Sequence, residues 1–250
     1  MEFEIFKQKC IDIFDKNAKS GRNLELPTLD DTLVEKLFAL TERMLEVNLS
    51  MNLTAITDVD AVILRHYVDS LTVSKYIPQG ASVIDVGCGA GFPSLPLAIF
   101  RPDLAITSLD GTAKRIEYVR STANLLGLDN INAIAGRAEE YAKMADFREK
   151  FDIATARAVA NLPVLTELCL PFVKIGGSFV AMKAQQASQE LALSESAIKL
   201  CGGSSAASAN ISLTSDGVVF EDRVIISVKK SLATPSKYPR HYSQISKKPL

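Results

Sequence analysis

Val83-Ile84-Asp85-Val86-Gly87-Cys88-Gly89-Ala90-Gly91-Phe92-Pro93 is the stretch on which the reading of the chain turns. An apolar run broken by one carboxylate reads as a buried strand, and three glycines at alternate positions carry it into a helix. Glycine accepts positive φ and lets backbone approach a ligand closely, while the first amides of a helix have no partner inside it. A dinucleotide fingerprint requires GxGxxG, and position 92, where the third glycine would stand, holds phenylalanine. GxGxG preceded by Asp85 suits a ligand without a pyrophosphate: the nucleoside and methionine portions of S-adenosylmethionine. The plain alternative is a tight strand-to-helix turn with capping glycines. Asp110 ends the following strand, where a carboxylate can accept hydrogen bonds from both ribose hydroxyls. With it, the pattern favours a cofactor site built on Asp85, Gly87, Gly89, Gly91 and Asp110.

Outward from this loop, strands and helices alternate. Strands are expected at 82–86, 104–109, 131–135, 151–155 and 177–182, and helices at 92–100, 112–126, 161–173 and 186–200. Such βαβ alternation marks a parallel sheet. ANISLTSDGVVFEDRVIISVKK then reads as two strands around Asp216-Gly217, a hairpin turn signal, and the Ser/Ala-rich 202–209 before it as a surface loop. Residues 1–76 read as helices over 3–18, 30–48 and 58–76. The expected organisation is an N-terminal helical extension (1–76), a cofactor-binding domain (77–232) and a basic C-terminal tail packing on or extending it (233–250).

The formal net charge of −1 is a sum of unlike parts. From Arg223 onward there are seven basic residues and no acidic one, so the rest of the chain stands at −8. Clustered Lys and Arg suggest a polyanion partner, although a basic tail also serves simple solubility. Four scattered cysteines without CxxC, and only His66 and His241, argue against a zinc site or a disulfide framework. No run approaches the roughly 18–20 apolar residues of a membrane span. The acidic, mixed start is unlike a signal peptide. A cytoplasmic, metal-free monomer is expected.

Further charges stand at successive strand ends. Gly136-Arg137-Ala138-Glu139-Glu140 follows the third strand, Arg157 follows the fourth within TARAVA, and Lys183 ends the fifth. In open α/β sheets ligands collect at that edge. Each alone is an ordinary surface charge; together they mark Arg137, Arg157 and Lys183 as candidates for orienting a substrate.

At this point the sequence resembles the ribosomal small-subunit methyltransferase G (GidB) family over essentially all of the chain beyond residue 20. SMNLTAI (50–56), RHYVDSL (65–71), VIDVGCGAGFPSLPLAI (83–99), LDGTAKR (109–115), GRAEE (136–140), ATARAVA (154–160), GGSFVAMK (176–183) and YPRHYSQISKKPL (238–250) carry the resemblance. It implies a Rossmann-like class I S-adenosylmethionine-dependent methyltransferase, with a mostly parallel seven-stranded sheet and a C-terminal antiparallel hairpin. It also implies methyl transfer to nitrogen 7 of one guanine in 16S rRNA near the decoding site, on naked rRNA or on the small subunit. Cofactor contacts carried over by position fall on Gly87, Phe92, Ala138, Glu139 and Arg157. RNA contacts are expected at Arg65, His66, Lys237, Arg240, Lys247 and Lys248, with a packed structural histidine the other reading of His66. Departures are Ser94, Ala184, Ser243 and Ile245; Ser94, beyond the glycines, is expected to matter little for the cofactor.

The chemistry agrees. Guanine nitrogen 7 is already an acceptor with a free lone pair, so no general base is needed and alignment can supply catalysis. No proline precedes a cysteine, as carbon methylation would want, and no NPP-aromatic loop is present for exocyclic amines; Asn161-Leu162-Pro163-Val164 is a poor echo. The competing functions are a methyltransferase of another substrate and a non-catalytic ribosome-assembly RNA binder.

Overall fold

The computed structural model describes residues 1–20, 24–183, 187–215 and 218–250; Ala184 and the Asp216-Gly217 turn lie outside them. Helices α1 (Phe3–Ser20) and α2 (Asp31–Met51) come first. Then α3 (Val59–Val62) and α4 (Asp69–Leu71) are joined end to end by a π-helical stretch, Ile63–Val68. Two aspartates start these helices. The Asp30 carboxylate accepts from the Leu33 amide at 2.8 Å and Asp58 from the Ala61 amide at 3.0 Å, satisfying donors that a helix start leaves open.

The chain continues through β1 (Ser82–Val86), α5 (Ser94–Phe100), β2 (Ala105–Asp110), α6 (Ala113–Leu125), β3 (Ile131–Ala135), α7 (Ala138–Tyr141) and β4 (Phe151–Arg157). It ends with α8 (Leu162–Cys169), β5 (Val173–Lys183), α9 (Ala187–Leu193), α10 (Glu195–Leu200), β6 (Gly203–Ser215), β7 (Val218–Lys230) and α11 (Tyr242–Lys247). The seven strands form one sheet in the order β3-β2-β1-β4-β5-β7-β6. β1 to β5 pair parallel, and β7 pairs antiparallel with both β5 and β6.

Strand alternation sorts the core onto two faces. Val83, Ile106, Ile153 and Val180 pack with α1, α2, α5 and α6, while Ile84, Val86, Ala154 and Phe179 pack with α8, α10 and α11. The N-terminal helices therefore share a core with the sheet. Phe14 of α1 stacks on Phe100 of α5 with centroids 5.8 Å apart. Asn17, fully buried, donates to the Thr214 carbonyl at 3.0 Å and accepts from the Thr214 amide at 2.9 Å, fastening α1 to β6.

Several expected boundaries shift. The helix expected over 161–173 ends at Cys169 and passes into a 3-10 turn, Leu170–Phe172, because Pro171 has no amide to continue the ladder. β5 begins at Val173, not at 177: Phe151 pairs Val173 and Ile153 pairs Ser178, so an irregularity takes up the Gly176-Gly177 interruption. The helix expected over 186–200 is two, broken at Ser194. The expected surface loop 202–209 is largely strand. Its side chains are mostly exposed, so it carries no apolar alternation, yet its backbone pairs with β7 as an edge strand.

Candidate functional site

The glycine loop turns at the carboxyl end of β1. Gly87 (φ +76°), Gly89 (φ +56°) and Gly91 (φ +83°) all adopt left-handed backbone. The Gly87 amide bonds the Leu109 carbonyl at 2.7 Å, holding the loop against β2. Each glycine has its own reason. A Cβ on Gly87 would stand 2.6 Å from Val159 and one on Gly91 2.5 Å from Leu95, whereas one on Gly89 would meet nothing within 4 Å. That last position faces the open space of the cleft beside the loop.

Asp110 ties the loop to its neighbour. Its carboxylate accepts from the Gly89 amide at 3.0 Å and from the Thr112 amide at 2.8 Å. Each oxygen keeps a lone pair for a further donor. Around these groups lies a cleft in two lobes. One, of about 260 Å³, is bordered by Asp110, Arg137, Ala138, Glu139, Val159 and Tyr242. The other, of about 340 Å³, is bordered by Thr54, His66, Gly89, Phe92, Arg115 and Arg157. Gly87, Asp110 and Val159 belong to both lobes. Val159 is held over Gly87 by the turn at Ala158, a non-glycine residue at φ +55°.

Beneath the loop, Asp85 is almost fully buried and borders neither lobe. It sits in register with Ser108 of β2 and Thr155 of β4, so the three side chains share one face of the sheet, near Ser94. Among the described residues neither Asp85 oxygen has a hydrogen-bond partner, nor do the Ser94, Ser108 and Thr155 hydroxyls. Burial pushes the Asp85 carboxyl up to about 7, with the Arg157 charge pulling the other way. Ser94, absent from both linings, thus departs from the family pattern in the support of the loop and not in the cleft.

The wall of the second lobe is a stack. His66 lies parallel to Phe92 with centroids 4.3 Å apart, and the Arg157 guanidinium sits over the same ring at 5.4 Å. Arg157 can only donate, so its 3.4 Å contact to His66 Nδ1 leaves the Nε2–H to face Thr54 Oγ1 at 3.1 Å. Burial first, then the Arg157 charge, pushes the imidazole down to about 3. His66 is therefore neutral at pH 7 and 6% exposed, which favours the packed structural histidine among its two readings.

Several other expected cations are engaged internally. Lys183 borders neither lobe; it pairs with Glu190 and donates to the Ala160 carbonyl, both at 2.8 Å, bracing the loop after β4. Arg240 grips the fully buried Glu167 through Nε (2.9 Å) and Nη2 (2.6 Å), and its amide joins at 2.8 Å. Arg240 thus clamps the tail. Two more of the seven C-terminal cations are also paired, Arg223 with Asp69 and Lys230 with Glu149, both at 3.0 Å. Lys237, Lys247 and Lys248 remain exposed. Arg137 lines the first lobe with its guanidinium 5.0 Å from the Tyr242 ring centre. Arg65 is half-buried and gives its carbonyl to Arg157 at 2.9 Å.

Tail residue Ile245 is fully buried, and Ser243 bonds His241 at the start of α11, which sets Tyr242 beside the cleft. Thr54, Arg115 and Val159 were not singled out in the sequence. SMNLTAI and LDGTAKR were the only signals for the first two. Among the described residues no grouping of His, Cys, Asp and Glu could hold a metal ion, and no helix is long and apolar enough to cross a membrane.

Known proteins resemble the chain over most of its length. A profile of the GidB family, described as rRNA small subunit methyltransferase G, matches residues 33–215. A ribosomal RNA small subunit methyltransferase G of Alkaliphilus metalliredigens is 42% identical over 224 residues, covering 89% of this chain and 92% of that protein. Its counterpart in Clostridium beijerinckii is 41% identical over 239 residues, covering 95% and 98%. Among solved structures, a putative O-methyltransferase from Klebsiella pneumoniae superposes with a TM-score of 0.52 at 16% identity, covering 89% of this chain and 98% of that one. That last likeness concerns the fold alone.

Proposed function

The chain belongs to the rRNA small subunit methyltransferase G family, and from that premise we propose that it methylates nitrogen 7 of one guanine in 16S rRNA near the decoding site, with S-adenosylmethionine as donor. The observation that carries the reading is the open cradle over Gly89, flanked in one continuous cleft by Asp110, Ala138 and Glu139. The residues present fit the cofactor. When bound, it supplies a methyl group on a sulfonium; everything else falls to the protein.

Gly87 and Gly89 keep the loop free of side chains so that a ligand can lie against backbone. Asp110, oriented by two amides, accepts from ribose hydroxyls, and the Ala138-Glu139 turn borders the adenine. Arg157 and Phe92 border the methionine end. Val159 overhangs the loop at Gly87. Guanine nitrogen 7 brings its own lone pair, so no residue needs to take a proton, and neutral, hydrogen-bonded His66 is a wall and not a base. Alignment of donor and acceptor is then the main source of rate. Arg137 borders the same cleft and orients the base, while Lys237, Lys247 and Lys248 meet phosphates. A substrate of this kind places the work in the cytoplasm.

Mass mapping of 7-methylguanosine in small-subunit rRNA tests the proposal. The mark is expected to vanish when the gene is deleted and to return with the wild-type gene, but not with Gly87→Arg or Arg157→Ala. Persistence of the mark without the gene overturns the assignment.

A further inference from the structure

Asp69, on α4 within RHYVDSL, borders neither lobe of the cleft, and its carboxylate is 4% exposed. Its two oxygens serve two arginines from distant parts of the chain. Oδ2 receives Arg157 Nη1 at 3.1 Å, and Oδ1 receives Arg223 Nε of β7 at 3.0 Å. The same Nη1 of Arg157 also donates to the Arg65 carbonyl at 2.9 Å. One end of the guanidinium is thus fixed by a carboxylate and a carbonyl. The other end is looser: Nη2 reaches only His66 Nδ1 at 3.4 Å, and Nε has no partner among the described residues.

A guanidinium presents five donors in a rigid plane, so fixing one nitrogen by two acceptors fixes where the rest point. A free arginine side chain would lose rotamer freedom each time it met a ligand. Here that ordering is built into the folded protein. The loosely held donors belong to a side chain that lines the lobe, and such a fork suits the carboxylate of an amino-acid moiety.

We propose that Asp69 is a positioning residue for the methyl donor: it fixes the plane of Arg157 at the cleft and anchors it through Arg223 to the sheet. The proposal rests on the reading of the cleft as an S-adenosylmethionine site. Asp69 touches no ligand; it acts through Arg157.

Calorimetric titration of S-adenosylhomocysteine into the full chain tests it, using wild type, Asp69→Asn, Arg157→Ala and the double variant. Asp69→Asn is expected to weaken binding roughly tenfold, as loss of a supporting partner does at other preorganised sites. Added to Arg157→Ala, it is expected to weaken binding by no more than about twofold further, since no guanidinium is left to orient. A merely structural role would multiply the two losses. Asp69→Asn binding within about twofold of wild type, or losses that multiply, overturns the proposal. Should Asp69→Asn melt too low to titrate, Asp69→Asn/Arg223→Gln takes its place with the same expectation. A wild-type chain that fails to bind S-adenosylhomocysteine overturns the reading of the cleft itself. A wild-type chain that binds, beside an Asp69→Asn that binds equally well, overturns only the role of Asp69.

Discussion

At Asp85 burial and charge are at odds. Its carboxyl is raised from the ordinary carboxylate range to about 7, so the folded state prefers the proton more than the unfolded state does. The stability this contributes is complete below about pH 4 and is lost as pH rises through 7. Asp85→Asn, a neutral isostere, is therefore expected to melt above the ligand-free wild type at pH 8.5, with the gap closing at pH 5. Melting curves at the two pH values check it, and a gap that widens toward pH 5 refutes it. The glycines divide in a similar way. Gly89→Ala costs only the left-handed backbone, about 1 kcal/mol or roughly 2–4 °C in a chain of this size. Yet its methyl enters the cradle, so S-adenosylhomocysteine affinity is expected to fall about tenfold or more by calorimetry. The glycines and Asp110 were legible in the sequence because a missing Cβ and a carboxylate at a strand end are local facts. Asp69 was not, since its partners lie 88 and 154 positions away.

Elements show the same division between local and distant causes. The βα alternation was readable from residue 82 onward because each strand and helix has its own period. The edge strand β6 was missed over 203–208: mostly small and polar residues look like a loop until β7 pairs with them. The tail was expected to pack on or extend the domain, but its contacts were not legible, because their partners are distant in sequence: Arg148 holds the Tyr238 and Thr234 carbonyls at 3.0 and 2.6 Å, and Arg240 closes on Glu167. Glu167→Ala removes the partner of a half-buried guanidinium and is expected to cost roughly 3 kcal/mol. Hydrogen exchange across 238–248 should then accelerate, and S-adenosylhomocysteine binding should weaken because Tyr242 leaves the cleft wall. Unchanged exchange in that segment would remove the clamp from the account.

At the scale of the whole molecule, three of the seven C-terminal cations are neutralised internally, so the basic tail is a smaller polyanion surface than its sequence suggested. Each phosphate neutralised on a single strand contributes about 0.7 to the salt slope of binding. Replacing Lys237, Lys247 and Lys248 together by alanine is expected to flatten the slope by about 2, measured on a 16S rRNA fragment between 50 and 200 mM salt. An unchanged slope would place the RNA grip elsewhere. A parallel sheet closed by a hairpin was foreseeable, but not which hairpin strand lies inside. VVFEDRVIISV is apolar enough for an inner position and GSSAASA is not, though only the pairing settles the order. That order bears on how the chain is made. A ribosome releases β6 before β7, yet β6 stands outside β7 and, among the described residues, pairs with no other strand. Thr214, the partner of Asn17, therefore cannot take its place until the segment after it has emerged. The first helix can pack on α5 through Phe14 early, but its fastening through Asn17 comes late, so the nascent protein keeps an unfinished edge until its last strand is free of the exit tunnel.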